Sequence, residues 1–515
     1  MSTLWEEGGR GPGREEPRER RKSANAAARG EDGQTGPAGS GLSGAAAHVD
    51  ATTTGLDAEQ RRAVEHDPAD GPLIVLAGPG TGKTRVITHR IAHLIDDRTV
   101  DPASIVAVTF TNKAAGEMRE RLRGLIGPKA DRVETSTFHA LGMRILQRFG
   151  DLLEPDALAD MPALVAEDLA RAQIDTLPVV SRAGGGGGRR PVFGPSLTAG
   201  GLLDSAQRKR LLRAIITRLD VLRPLRVHSL DGAADHAREV IDALSERAIF
   251  PADALRFAAA WRARLHDPAW AGVPADRREA LPAQRFQQEV FEDACRVYAV
   301  FERALRHAGL VTFSDLITLP LRLMRQGSKD GGSAGAAAVL RSQWRHFVVD
   351  EFQDVNAAQI ELLRELAPPL AGGAGGHGPD LCVVGDDDQS IYAFRGSDER
   401  AFAHFAKVWG RAGTAGGVKV VRLGVNYRST PAIVSLSQSV IERSRSRFAP
   451  DKVIRPAAPA AGCAKAGVVW LEDDRQAAQA VGAVVRAGLG DFEGRAPESI
   501  AVITRDNSLA AQVAA

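Results

Sequence analysis

Short runs of branched apolar residues recur along the chain, and most are followed by apolar residues at helical spacing. Leu73–Leu76 is the first such run, and the helical pattern after it begins near Lys83. The same reasoning predicts buried strands at Ile105–Thr109, Phe347–Val349, Leu381–Val384, Val418–Leu423, Gly467–Leu471 and Ile500–Thr504. Strands that alternate with helices predict an α/β fold with a mostly parallel sheet and helices on both faces. Ligands of such sheets lie beyond the carboxyl ends of the strands.

The pattern changes in the region 151–299, where strand signals are few. Helices are predicted in and just beyond it at Leu202–Leu222, Ala233–Ile249 and Phe286–His307. Glycine-rich stretches predict loops at 183–190, 198–201, 331–338 and 371–378. The expected organisation is a disordered tail at 1–50, an α/β lobe at 51–150 and 300–417, a helical insertion at 151–299, and part of a second lobe at 418–515.

Composition places few limits on function. The 515 residues are 44% apolar and 25% charged, which is ordinary for a globular protein, and the net charge of +2 requires any nucleic-acid surface to be a local patch. No apolar run approaches the roughly eighteen residues of a membrane span, and no secretory leader is evident. Cys295, Cys382 and Cys463 are far apart and fit no metal spacing, so a reducing, cytoplasmic location is expected.

A glycine-rich turn follows the first predicted strand. Its sequence is AGPGTGKT, formed by Ala77, Gly78, Pro79, Gly80, Thr81, Gly82, Lys83 and Thr84. The phosphate-binding loop pattern is G-x-x-x-x-G-K-[ST], whose lysine contacts the β- and γ-phosphates and whose hydroxyl binds Mg²⁺. Ala77 stands at the first glycine position. Since strand, loop and helix follow in the required order, a nucleoside triphosphate is predicted, against the alternative of an ordinary glycine-rich turn.

Polar side chains with suitable chemistry follow the later strands. Asp350 and Glu351 end an apolar strand, where the first carboxylate can hold Mg²⁺ and the second can activate water. Gln389 follows the next strand and is placed to sense a γ-phosphate, and Arg428 resembles an arginine finger. Acids at strand ends are often only solvated, but their pairing with a phosphate-binding loop favours the functional interpretation.

Aromatic and cationic residues follow the same strands and suit stacking on single-stranded nucleic acid. Tyr392, Phe394 and Arg395 lie close together in one segment. Phe110 can stack on a base, and its neighbours Thr111 and Asn112 can reach phosphates. By spacing alone, Tyr392 and Phe394 are equally well explained as core residues. A lone histidine such as His139 is more often a buried, hydrogen-bonded residue than a ligand.

Taken in order, these segments resemble the superfamily 1A DNA helicases of the UvrD/Rep/PcrA type from about residue 55 to the end of the chain. The matching motifs are LDAEQRRAV, AGPGTGKT, VTFTNKAAGEM, STFHALGMRIL, FSDL, DEFQD, GDDDQSIYAFRGS and NYRST. The resemblance implies two RecA-like lobes with a helical insertion. It also implies an ATP- and Mg²⁺-dependent helicase that moves 3′→5′ on single-stranded DNA, unwinds duplex DNA and serves repair or replication, with repair proteins as partners.

The resemblance also implies roles for individual residues. Gln60 would read adenine, with Arg85 and Tyr427 sandwiching the ring. Lys83, Thr84, Asp350, Glu351, Gln389 and Arg428 would bind and hydrolyse the phosphates with Mg²⁺. The single-strand track would be lined by Phe110, Thr111, Asn112, His139, Tyr392, Phe394 and Arg395.

The family's later motifs, T-x-H-x-x-K-G and a final R-A, do not occur in the 515 residues. A fragment or a shortened protein is therefore expected, with weak hydrolysis because a second γ-phosphate arginine is missing. Two other interpretations stay open. One is a RecB/AddA-like subunit of a helicase–nuclease, and the other is a DNA-binding protein with a vestigial ATPase.

Overall fold

The computed structural model describes residues 52–150, 153, 163–178, 201–267, 280–329, 335–369, 379–392, 397–398, 400–410, 417–444, 447–457, 473–491, 501–504 and 507–514. Six strands form one parallel sheet in the order β3-β2-β4-β5-β1-β6. The strands are β1 (Leu73–Ala77), β2 (Ile105–Thr109), β3 (Glu134–Thr137), β4 (His346–Val349), β5 (Asp380–Gly385) and β6 (Lys419–Leu423). A separate parallel pair joins β7 (Val425–Asn426) to β8 (Arg455–Pro456).

Helices connect and cover these strands. The first four are α1 (Ala58–Val64), α2 (Lys83–Asp96), α3 (Asn112–Ile126) and α4 (Phe138–Phe149). The insertion holds α5 (Ala163–Ala172), α6 (Ser205–Leu219), α7 (Arg223–Arg226), α8 (Leu230–Ser245), α9 (Pro251–Leu265) and α10 (Leu281–Ala308). The remainder are α11 (Asp315–Lys329), α12 (Ala336–Gln343), α13 (Ala357–Leu366), α14 (Ala401–Trp409), α15 (Pro431–Ile441), α16 (Asp474–Asp491) and α17 (Asn507–Ala514). Among the described residues, no helix combines the length and the apolar character needed to cross a bilayer.

The predicted α/β fold and parallel sheet are confirmed, with specific differences. β3 was not predicted, and β6, expected at the start of a second lobe, pairs with β1 in the first sheet. Residues 501–504 form no strand, although one was predicted there, and α12 begins inside the loop predicted at 331–338. The strand predicted at Gly467–Leu471, the tail 1–50 and the loops at 183–190 and 371–378 lie outside the described residues.

The sheet is buried on both faces because successive side chains of a strand point to opposite sides. Ile74 and Leu76 of β1 pack with Phe347 of β4 against α4, α11, α13 and α14. Leu73 and Val75 face the other way and pack against α1, α2 and α3. Continuous apolar strands of this kind hold the loops at the carboxyl edge in fixed positions.

The helical insertion has its own core, formed mainly between α6, α8 and α10. Ile215 and Ile216 of α6, Ile241 of α8 and Val300 of α10 are all buried there. Asp204 begins α6 with a reciprocal capping box to Gln207, which satisfies backbone donors at that helix end. The predicted helices at 202–222, 233–249 and 286–307 are confirmed, with the last beginning earlier, at Leu281.

Gly142 lets α4 and α11 pack closely, because a Cβ atom at that position would collide with the carbonyl oxygen of Leu316. We expect Gly142→Ala to lower the free energy of unfolding by about 1–3 kcal/mol through overpacking. Gly124→Ala is the matched control, since Gly124 also lies within a helix but has open space around it. That change should stabilise by about 0.5–1 kcal/mol, and urea denaturation of both variants measures the difference. Equal effects from both substitutions would contradict the packing argument.

Candidate nucleotide and nucleic-acid site

All six parallel strands end at one edge of the sheet, and the predicted site residues follow them there. The phosphate-binding loop follows β1, and Asp350 and Glu351 follow β4. Gln389 comes after β5, and Arg428 lies beyond β6 and β7. Phe110 follows β2, next to β4 in the sheet. This edge is therefore divided between a nucleotide half at β1, β4, β5 and β6 and an aromatic half at β2 and β3.

The loop after β1 is shaped to present backbone donors. Ala77 is the buried last residue of β1, and the Thr81 hydroxyl donates to the carbonyl oxygen of Gly78 at 2.8 Å. Gly80 and Gly82 have φ angles of 69° and 89°, which non-glycine residues rarely adopt. Gly82 caps the N-terminus of α2, so the unpaired N–H groups of the first helical turn face the loop. Such a helix end favours phosphate.

Lys83 forms an ion pair with Glu351, with 2.7 Å between Nζ and Oε2. Gln353 donates from Nε2 to the same carboxylate oxygen at 2.7 Å. Glu351 itself has a φ of 49°, a left-handed conformation that costs a non-glycine residue about 1–2 kcal/mol. Strain of this kind is concentrated at functional sites. The contact brings together two predicted catalytic residues that are far apart in sequence.

Asp350 is nearly fully buried beside this pair. Burial, aided by the charge of Glu351, raises the pKa of Asp350 to about 7. A carboxylate in this environment is stabilised by a cation, and the chemistry of Mg²⁺ favours oxygen ligands. Thr84, in the first turn of α2, supplies a partly exposed hydroxyl next to Lys83. The residues therefore fit the predicted magnesium ion, with Thr84 and Asp350 as the groups that would hold it.

The predicted adenine-binding residues lie on the other side of the loop. Gln60 is buried, and its Nε2 donates to the carbonyl oxygen of Thr81 at 2.9 Å. Tyr427 is 54% exposed and donates from its hydroxyl to Asp57 at 2.7 Å. This hydrogen bond raises the pKa of Tyr427 to about 12. The exposed side chain of Arg85 reaches toward the Thr54 carbonyl oxygen at 3.5 Å. An exposed aromatic ring and an exposed guanidinium group thus flank the loop.

The segment that carries Arg428 is hydrogen-bonded to the phosphate-binding loop. Asn426 donates from Nδ2 to the carbonyl oxygen of Pro79 at 2.7 Å, and the Tyr427 N–H donates to that of Gly80 at 2.9 Å. A Cβ atom on Gly80 would lie 2.5 Å from the Cβ of Arg428. Lys83, Glu351 and Arg428 therefore surround a single loop.

Gln389 lies in a hydrogen-bonded chain that reaches the carboxylate of Glu351. Its Nε2 donates to Asp386 at 2.5 Å, and the Asp386 N–H donates to Oε1 of Gln353 at 3.0 Å. Gln353 in turn donates to Glu351. Two residues, Asp386 and Gln353, thus connect Gln389 to Glu351, the group predicted to activate water.

Asp386, Asp387 and Asp388 bring their carboxylates together, but Lys452 lies among them. Its Nζ is 2.5 Å from Asp386 and 2.8 Å from Asp388, and Arg447 binds Asp388 at 2.7 Å. Two cations therefore occupy a cluster that acidic residues alone would suggest as a metal site. Neither Lys452 nor Gln353 was predicted from sequence, because nothing in their local pattern indicates these contacts.

Two stacked aromatic pairs form the other half of the edge. Phe110 stacks on Tyr392 with 5.3 Å between ring centroids, and His139 stacks on Phe313 at 3.9 Å. Phe110 and Phe313 are 43% and 59% exposed, which is unusual for large aromatic rings. Burial lowers the pKa of His139 to about 4, so the imidazole is neutral at physiological pH. Phe313 was not predicted as a site residue, although its FSDL segment was noted.

The remaining predicted residues of this half have local roles or lie outside the described residues. Thr111 caps α3, its hydroxyl accepting from the Ala114 N–H, and Asn112 is the first residue of that helix. Both lie directly beside Phe110, at a helix N-terminus suited to phosphate. Phe394 and Arg395 fall outside the described residues.

Comparison with known proteins agrees with this geometry. A family model described as the UvrD/REP helicase N-terminal domain matches residues 56–409. The chain is 33% identical over 401 residues to the ATP-dependent DNA helicase UvrD1 of Mycobacterium tuberculosis, covering 78% of this chain and 41% of that protein. It is 31% identical over 400 residues to the ATP-dependent DNA helicase PcrA of Leuconostoc citreum, covering 78% and 40%. It is 28% identical over 395 residues to PcrA of Staphylococcus aureus, covering 76% and 40%. The chain thus spans about two fifths of the length of these relatives.

Proposed function

Since the chain belongs to the UvrD/Rep helicase family, we propose that it binds and hydrolyses ATP with Mg²⁺ while it holds single-stranded DNA. The finer proposal is an ATP-driven 3′→5′ translocase that unwinds duplex DNA in repair or replication. The observation that carries it is the Lys83–Glu351 ion pair at the edge of the sheet that also presents the stacked rings of Phe110 and Tyr392. The same edge of the sheet would then bind both the nucleotide and the polynucleotide.

Different residues of the chain would carry out different parts of the hydrolysis. Lys83 and the backbone N–H groups at the start of α2 would neutralise the phosphates, and Arg428 would approach from the opposite side of the loop. Glu351, released from Lys83 when phosphate takes its place, would orient and deprotonate the attacking water. When bound, Mg²⁺ would neutralise phosphate charge, held by Thr84 and Asp350. Gln60, Arg85 and Tyr427 would hold the base.

Movement on DNA requires that nucleotide state changes the affinity for DNA, since a ligand shifts an equilibrium only through differential binding. The segment from Asp386 to Tyr392 supports such coupling. Its first residue is hydrogen-bonded into the chain that reaches Glu351, and its last residue stacks on Phe110. A displacement of Gln389 on hydrolysis would therefore also move Tyr392 and change its stacking on Phe110.

We expect Phe110→Ala and Tyr392→Ala each to weaken single-stranded DNA binding by about 1–3 kcal/mol, because each removes a base-stacking surface. Fluorescence anisotropy with labelled oligothymidine at one fixed salt concentration measures this. Phe257→Ala is the matched control: Phe257 is 61% exposed but belongs to the helical insertion. Equal loss in the control, or unchanged affinity in both site variants, would contradict the assigned track.

The proposed activity is tested on the chain by ATP turnover with and without single-stranded DNA, followed by unwinding of duplexes with a 3′ or a 5′ tail. Turnover that DNA stimulates, together with unwinding of the 3′-tailed duplex, is the expected result. Nucleotide and DNA binding without turnover would instead identify a DNA-binding protein with a vestigial ATPase. Unwinding from the 5′ tail alone would overturn the proposed direction.

A further inference from the structure

Lys452 is an unusually deeply buried charged residue outside the predicted site. Its side chain is 1% exposed, and its ammonium group contacts Asp386, Asp387 and Asp388. Burial alone would lower the pKa of a lysine. Here the three carboxylates outweigh burial and hold the pKa of Lys452 above its usual value. Arg447, also almost fully buried, adds a second cation at Asp388. We refer to this cluster at the end of β5, formed by Lys452, Arg447, Asp386, Asp387 and Asp388, as the ionic knot.

The knot connects two segments that lie on either side of the nucleotide site. On one side, Asp386 accepts from Gln389 and its N–H donates to Gln353, which donates to Glu351. On the other side, Lys452 belongs to the segment 447–457, which contains β8. The ammonium group thus links the two segments, beside the Arg447–Asp388 ion pair and the Ala449 N–H, which donates to Asp387 at 3.0 Å.

The segment 447–457 reaches the other side of the loop through backbone contacts. The Arg455 N–H donates to the carbonyl oxygen of Gly424 at 2.7 Å, and the Ala457 N–H donates to that of Asn426 at 2.8 Å. Asn426 in turn accepts from the Arg428 N–H at 2.8 Å. Ile454 packs against Gly78 so closely that a Cβ atom there would collide with it.

We propose that Lys452 is a positioning residue that joins the Gln389 segment to the Arg428 segment across the nucleotide site. The inference rests on the proposed ATPase and adds to it a residue that contacts neither nucleotide nor DNA. Through the knot, Gln389 and Arg428 keep a fixed spacing, so both meet the same γ-phosphate when the site closes. Without Lys452 the two segments keep the Arg447–Asp388 pair and the Ala449 hydrogen bond to Asp387, but lose the three contacts of the ammonium group.

The test must separate positioning from simple destabilisation, because removal of Lys452 strands buried carboxylates. The single variant Lys452→Met leaves the three carboxylates without the ammonium group. The double variant Lys452→Met/Asp387→Asn removes one carboxylate together with the cation. The double variant restores the original balance of charge in the knot, so it should recover much of the lost unfolding midpoint. It does not restore the contacts that the ammonium group makes between the two segments.

We expect both variants to lower kcat for DNA-stimulated ATP hydrolysis by about tenfold or more while KM for ATP changes by less than about threefold. The pattern arises because the contacts of Lys83 and Gln60 are left intact. Recovery of kcat together with the unfolding midpoint in the double variant would reduce Lys452 to a structural role and overturn the proposal. A kcat in Lys452→Met equal to that of the unaltered protein would do the same.

Arg296→Met is the matched control, because Arg296 pairs with the buried Asp168 inside the helical insertion. It should lower the unfolding midpoint and leave kcat unchanged. A comparable loss of kcat in this control would show that destabilisation alone explains the effect.

Hydrogen exchange supplies a readout that needs no turnover. In the double variant, exchange should rise in peptides covering 386–392 and 424–428 and stay unchanged in β2 and β4. Unchanged exchange in both peptides would overturn the proposal even in a protein that hydrolyses no ATP. Failure of the proposed function has a different signature: the unaltered protein lacks ATP turnover, whatever the exchange of the variants.

Discussion

Glu351→Gln is expected to reduce ATP turnover by about 10²–10⁴-fold while ATP still binds, because the amide retains the shape of the carboxylate but cannot accept a proton. The structure gives the physical basis. Glu351 lies 2.7 Å from Lys83 and accepts a further hydrogen bond from Gln353. Its backbone has a φ of 49°, a strained conformation of the kind that is concentrated at functional sites. The measurement is DNA-stimulated phosphate release, paired with binding of a fluorescent ATP analogue.

Two further variants make the result specific. Lys83→Ala should abolish turnover and also weaken nucleotide binding, since the lysine contacts phosphate in the ground state as well as in the transition state. Glu239→Gln removes an exposed carboxylate of the helical insertion and should change neither quantity. If Glu351→Gln kept normal turnover, water activation would have to be assigned to another group.

The sequence was sufficient to predict strands and loops whose residue types follow from a single physical requirement. β1 and β2 were predicted closely because strands buried on both faces are continuously apolar. The phosphate-binding loop, Asp350 and Glu351 could be identified because each follows such a strand. Lys83 and Glu351 are 268 positions apart, yet the convergence of strand ends at one edge was enough to bring them together.

β3 and β6 show where the pattern fails. β3 consists of Glu134, Thr135, Ser136 and Thr137, so no apolar run marks it, although its last three residues are buried. β6 was recognised as a strand, but a strand's sheet is decided by its partner, and pairing with β1 is not encoded in local pattern. The expected lobe boundary at 417/418 therefore falls before a strand of the first sheet.

The Lys452 knot was beyond sequence reasoning for a related reason. Lys452 and Asp386 are 66 positions apart, and a lysine in a polar segment is usually solvated. Only the fold shows that it is buried among three carboxylates. Phe313 is similar, because it lies in the turn before α11 and meets His139 of α4 only in the folded chain. Sequence reasoning therefore proposed candidates that follow strand ends, but not residues whose contacts depend on segments distant in sequence.

Arg90→Met is expected to lower the free energy of unfolding by about 3–5 kcal/mol at neutral pH, since it leaves a buried carboxylate without its cation. Arg90 and Asp380 are both almost fully buried, with 2.9 Å between Nη2 and Oδ1. Arg90 also donates from Nη1 to the carbonyl oxygen of His66 at 2.9 Å. The pair joins α2 to the start of β5 beneath the site. Urea denaturation at neutral pH gives the magnitude, and loss of stability below about 1 kcal/mol would contradict the assignment.

The pH dependence of the same variant distinguishes the buried pair from ordinary packing. Burial opposes ionisation of Asp380, but Arg90 outweighs it and holds the pKa of Asp380 below its usual value. The pair therefore contributes stability above the ordinary carboxyl pKa, and that contribution is lost only as pH falls through the lowered value. In Arg90→Met, Asp380 keeps, among the described side chains, only its contact with His346 Nδ1 at 3.2 Å. Burial then opposes ionisation of the carboxyl more strongly, so protonation relieves the variant at a pH where the unaltered protein is still fully stable. The difference in unfolding free energy should consequently shrink as the pH falls from neutrality toward the ordinary carboxyl pKa. Arg98→Met, which breaks an exposed pair with Asp67, should cost less than about 1 kcal/mol. A pH-independent difference for Arg90→Met would mean that lost packing, rather than the stranded charge of Asp380, accounts for its effect.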